Sequence, residues 1–107
     1  MVLRAPVLVA GKWLDSSGID FFQSVNPNTL ESLSPDFPIS DWTEVDRALD
    51  AATEAFHELR QVSASRIADF LETYARLLDT NNSELSELAH CETALPVKPR
   101  LSEVELP

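Results

Sequence analysis

Glycine is almost missing from this 107-residue chain, where only Gly11 and Gly18 occur. A Gly-x-Gly-x-x-Gly turn or a P-loop needs backbone amides that phosphate can approach closely, set between a strand and a helix. Neither glycine has that setting, so the chain by itself presents no standard dinucleotide site. Cysteine is as scarce. Cys91 alone rules out an internal disulfide framework and agrees with a reducing compartment. Basic side chains number 8 against 18 acidic ones, for a net charge of -10. A surface of that sign repels phosphate backbones, so no nucleic-acid partner is expected. No window approaches the roughly 20 apolar residues that span a bilayer. The opening MVLRAPVLVAGKW also lacks the apolar run of about 7–15 residues and the cleavage site of a secretory signal. The expectation is a cytoplasmic protein with no membrane partner.

What is present suits a small globular unit. The hydrophobic content of 44% is ordinary for a globular chain. A domain of this length buries roughly two thirds of its unfolded surface, which allows one thin core or a part of a larger one. The charge is unevenly placed. Residues 41–96 carry twelve acidic and four basic side chains, while the last eleven balance. An acidic helical stripe of this kind reads first as a solvated face.

Periodicity divides the chain near residue 40. Val7-Leu8-Val9-Ala10, Gly11-Lys12 and Trp13-Leu14 predict a short hairpin, and Asp15-Ser16-Ser17-Gly18 a second turn. Phe21 to Val25 favours a strand by its aromatic and β-branched content, and Asn26-Pro27-Asn28-Thr29 ends it. A further extended piece is expected around Leu30 to Leu33, and Pro35 and Pro38 exclude helix up to Ile39. From Ser40 the period becomes 3.6. Ser40 or Asp41 can cap the helix, and Asp41 with Glu44 three residues later resembles a capping box. Trp42, Val45, Leu49, Ala52, Phe56 and Leu59 then form one stripe, expected to be core. A second helix begins near Ser63 or Ser65 with Ile67, Phe70, Leu71, Tyr74, Leu77 and Leu78 on one side. Thr80-Asn81-Asn82 breaks it, and a third runs from about Ser83 to Glu92 with Leu85, Leu88 and Ala89 inward. The fold class is therefore α+β, short strands followed by three amphipathic helices. No internal repeat of solenoid period is found.

Candidate chemistry is thin. Cys91 invites a nucleophile and His90 a base, yet adjacent helical positions point about 100° apart, so His90 cannot readily take the Cys91 proton. A half-buried packing residue is the preferred reading of Cys91. Among His57, His90, Cys91, Glu87 and Glu92, only Glu87 and Cys91 share a helical face, short of the three or four ligands a metal needs. Asp46 with Asp50 and Glu54 with Glu58 are spaced i, i+4, but on an exposed helix they read as a solvated stripe rather than an acid and base pair. Trp42 opens the apolar stripe and is expected in the core, whereas Trp13 is left for a strand partner or another subunit. No catalytic, cofactor-binding or metal-ligating residue is assigned.

The order of elements nonetheless resembles the N-terminal region of the aldehyde dehydrogenases. The matching pieces are Ala10-Gly11-Lys12-Trp13, Val25-Asn26-Pro27-Asn28-Thr29, Val45-Asp46-Arg47-Ala48-Leu49-Asp50-Ala51-Ala52, Arg66-Ile67-Ala68 and Glu92-Thr93-Ala94-Leu95-Pro96. Leu30 and Ala94 stand where the family usually has glycine, and either change could loosen a turn. Phe37 to Trp42, Ala89 to Pro96 and Pro99 to Pro107 are similar to the branch that oxidises ketoglutaric semialdehyde, or 2,5-dioxovalerate, usually with NADP.

The resemblance implies that 1–107 is the N-terminal part of an α/β cofactor-binding domain, with strands and turns over 1–39 and helices over 40–107. In that family a cysteine thiolate attacks the aldehyde, hydride passes to the nicotinamide, and a glutamate-activated water hydrolyses the thioester. Those groups lie beyond the position matching Pro107, and Cys91 does not match the nucleophile. The chain would then bind no cofactor alone and be inactive alone. NADP or NAD would serve the complete protein, whose partners would be the remainder of the subunit and further copies in a homo-oligomer. The apolar helix faces would lack their normal cover. An alternative is a small acidic protein-interaction module without catalytic activity, which a self-sufficient three-helix core would support. A metal or thiol protein around His90-Cys91 fails on ligand count.

Overall fold

The computed structural model describes residues 3–105. Met1, Val2, Leu106 and Pro107 lie outside the described residues, and with them the two ends of the helix-rich and strand-rich segments read from the sequence. The chain divides into two units: the residues up to Ser24 with Leu33–Val62, and Val25–Ser32 with the residues from Ser63 on.

In the first unit β1 (Val7–Val9) and β2 (Lys12–Leu14) pair antiparallel, with Val7 opposite Leu14, Leu8 opposite Trp13 and Val9 opposite Lys12. Ala10 and Gly11 form the turn with φ of 52° and 75°. Two left-handed residues in succession suit a two-residue hairpin, because that turn matches the right-handed twist of the flanking strands. The second sheet joins β3 (Phe21–Val25) to β4 (Ser32–Pro38). Residues 3–5 add beside β4, with Ala5 N–H donating to the Asp36 carbonyl and Asp36 N–H to that of Leu3, both at 2.8 Å. Phe22 stacks on Phe37 with ring centroids 5.4 Å apart.

The extended piece expected at Leu30 to Leu33 starts later and runs further. Leu30 is left-handed, with φ of 61°, and the strand continues through both prolines to Pro38. Proline is compatible with extended backbone where the ladder does not need its missing donor.

Helix α1 (Trp42–Leu59) starts where the spacing predicts, with Asp41 as its N-cap. An Asp41 carboxylate oxygen accepts the Glu44 backbone N–H at 2.8 Å, satisfying one amide that the helix cannot. In the same unit Val9 is the buried apolar residue, and Asp36, at 2% exposure, accepts a hydrogen bond from the Gln23 side-chain amide.

The second unit holds α2 (Ala64–Thr80), α3 (Asn82–Thr93) and a wide helical segment, Val97–Glu105, kinked at Lys98. Ser63 caps α2 through the Arg66 N–H at 3.3 Å. The break expected at Thr80 to Asn82 is narrower, with Asn81 alone between the helices. Leu101 packs under α3 at 4% exposure, the Asn82 side-chain amide donates to the Ser102 carbonyl at 3.3 Å, and Ser86 is fully buried.

The apolar stripes are not core. On α1, Trp42 is 80% exposed, Leu49, Ala52, Phe56 and Leu59 are exposed with it, and Val45 alone of the stripe is half-buried. On α2, Ile67, Phe70, Leu71, Tyr74, Leu77 and Leu78 are all exposed, and α2 buries no residue. Leu88 of α3 is exposed too, whereas Leu85 and Ala89 are half-buried. Periodicity states which residues share a face, whereas burial needs a second surface.

Candidate functional site

A connected polar cluster lies where the Asp15-to-Gly18 turn meets the start of α1. Ser16 Oγ donates to Glu44 Oε2 at 2.6 Å, and Ser17 N–H donates to Glu44 Oε1 at 3.2 Å. Ser17 Oγ donates to Asp41 Oδ2 at 3.0 Å, and Ser16 Oγ accepts the Gly18 N–H at 3.1 Å. Glu44 is buried. The Ser16 hydroxyl, then that of Ser40, holds its carboxyl below the usual glutamate value against the opposing effect of burial. Asp41 is lowered in the same sense, first by the Glu44 backbone N–H and then by the Ser17 hydroxyl.

The capping-box reading is thus half right. Asp41 performs its part, but the Glu44 side chain turns to a loop 27 and 28 residues earlier in sequence. Local spacing carries no signal for that choice. Gly18 is buried at the same place, and a Cβ there would collide with the Ile39 carbonyl, whose carbon lies 2.9 Å from the Cβ position. Every donor in this cluster meets an acceptor within the chain, so it fastens a loop and offers no free group for proton transfer.

The other candidates are placed apart from any reacting partner. His90 directs Nδ1 to the Leu95 carbonyl at 2.7 Å. A carbonyl only accepts, so Nδ1 carries the proton and the ring closes the end of α3 instead of serving Cys91. Cys91 is half-buried and free. Asp46, Asp50, Glu54, His57 and Glu58 are exposed along α1, and Glu87 and Glu92 along α3. Among the described residues no group of three or more His, Cys, Asp or Glu could hold a metal ion. Trp42, expected in the core, is exposed, and so is Trp13 at 67%.

The described residues do not fit a dinucleotide. Gly11 turns a hairpin and Gly18 packs on Ile39, and neither lies between a strand and a helix. A cavity of about 330 Å³ is lined by Arg4, Ala5, Asp15, Ser16 and Pro38. Two shallower ones, of about 270 and 290 Å³, share Leu8, Val9 and Ala48 along the groove between β1 and α1. None brings together a nucleophile, a base and an oxyanion donor.

Comparison with known proteins gives a consistent set of likenesses. The profile of the "Aldehyde dehydrogenase family" matches residues 13–106. Malonate-semialdehyde dehydrogenase 1 of Geobacillus kaustophilus is 32% identical over 97 residues, covering 91% of this chain and 20% of the relative. N-succinylglutamate 5-semialdehyde dehydrogenase of Hahella chejuensis is 31% identical over 104 residues, covering 97% of this chain and 21% of the relative. The crystal structure of an aldehyde dehydrogenase from Bartonella henselae superposes with a TM-score of 0.86 at 20% identity, over 96% of this chain and 21% of that one. At that identity the superposition speaks for the fold. The chain spans about a fifth of the length of the relatives it matches.

Proposed function

The chain belongs to the aldehyde dehydrogenase family, and from that premise we propose that it forms the opening part of a semialdehyde dehydrogenase subunit, using NAD or NADP, and is inactive alone. The observation that carries this reading is the exposure of all six apolar residues on one side of α2 in a chain whose family match runs over residues 13–106. A face of that composition is costly in water and is expected to be covered by the remainder of the subunit.

In the complete protein a dinucleotide held by other parts of the subunit would supply the hydride acceptor. The part of this chain is structural. The Ser16, Ser17, Asp41 and Glu44 cluster sets the start of α1 against the preceding loop, and the His90 ring ends α3. Neither touches a reacting atom. The subunit is proposed to assemble as a homo-oligomer.

For the substrate, two relatives are named for semialdehydes, which supports that class. Within it we favour 2,5-dioxovalerate, oxidised to 2-oxoglutarate, on the likeness of Phe37 to Trp42 and Ala89 to Pro96 to that branch. The independent interaction module is less favoured, because α2 buries nothing and no core of its own supports it.

The test is the intact mass of the natural gene product, followed by assay with NAD and NADP. The aldehydes are 2,5-dioxovalerate, malonate semialdehyde and N-succinylglutamate semialdehyde. The expected result is a product several times longer than this chain that reduces the cofactor fastest with 2,5-dioxovalerate. Preference for another semialdehyde would overturn the substrate assignment alone. A 107-residue product that reduces neither cofactor would overturn the dehydrogenase reading.

A further inference from the structure

We draw no further inference here: the strongest candidate, the apolar groove between β1 and α1 lined by Leu8, Val9 and Ala48 and continued by exposed Leu49, carries nothing because nothing in the structure shows what covers it.

Discussion

At the scale of single residues, two departures from the family pattern sit in backbone conformations that explain the usual glycine. Leu30 and Ala94 hold φ of 61° and 59°. An L-residue in the left-handed region costs roughly 1–2 kcal/mol, because its Cβ crowds the following carbonyl. Around Leu30 the Asn26 side chain accepts the Asn28 N–H at 2.9 Å and the Asn26 carbonyl accepts the Leu30 N–H at 2.8 Å, so the turn closes without glycine. At Ala94 the N–H reaches the His90 carbonyl at 2.9 Å. Leu30→Gly and Ala94→Gly are each expected to stabilise the chain by about 0.5–1 kcal/mol, the relieved strain less the larger entropy of the unfolded glycine. Urea denaturation measures it, and a lower midpoint for both would contradict the strain argument.

Gly18 is the opposite case. Gly18→Ala drives a methyl group into the Ile39 carbonyl, and an overpacking cost of about 1–3 kcal/mol is expected in the same denaturation experiment. Glu44 adds a pH signature. Its carboxyl titrates lower in the folded chain than in the unfolded one, so the unfolded state binds the proton more readily. The stabilisation is complete above the ordinary glutamate value of 4.5 and is lost as pH falls through the lowered folded value. Glu44→Gln is expected to destabilise the chain at neutral pH and to flatten this acid limb. An unchanged limb would show that Glu44 does not couple folding to pH.

At the scale of elements, helix formation and helix burial come from different causes. The starts of α1 and α2 follow from Asp41 and Ser63, whose side chains accept the Glu44 and Arg66 amides. Phe70 stacks on Tyr74 one turn away, and Arg60 lies over the Phe56 ring at 5.7 Å. These contacts lie within one helix or between a helix and its own C-cap, and leave the apolar stripes open. Leu71 lies in such a stripe. Leu71→Ala is expected to change the stability of the 107-residue chain by less than about 0.5 kcal/mol, as at other surface positions. In the complete subunit the same substitution is expected to cost about 2–5 kcal/mol, the range for emptying a packed site. Equal effects in both proteins would mean that α2 is uncovered in the subunit as well.

At the scale of the molecule, the buried side chains are few and include polar ones. Val9 and Leu101 are the buried apolar residues among those described, against Asp36, Glu44 and Ser86. A chain this poor in apolar burial carries little hydrophobic stabilisation and presents large apolar faces to water. The isolated 107-residue chain is therefore expected to self-associate as its concentration rises, read by sedimentation velocity, and to bind a hydrophobic dye. A monodisperse monomer without dye binding would contradict the open faces. No helix among the described residues is long and apolar enough to cross a membrane.

The sequence by itself determined the local structure: the Val7-to-Leu14 hairpin, the Phe21-to-Val25 strand, helix starts at Ser40 or Asp41 and at Ser63 or Ser65, and the order of elements that marks the family. Each depends on residues a few positions apart, where turn chemistry, capping and periodicity act directly. Tertiary structure alone decided that Glu44 binds Ser16 and Ser17 instead of completing its capping box, that β4 runs through Pro35 to Pro38, and that the stripes headed by Trp42 and Ile67 stay exposed. These outcomes depend on which distant segment arrives at a surface, and a residue's own neighbours in sequence do not encode that arrival.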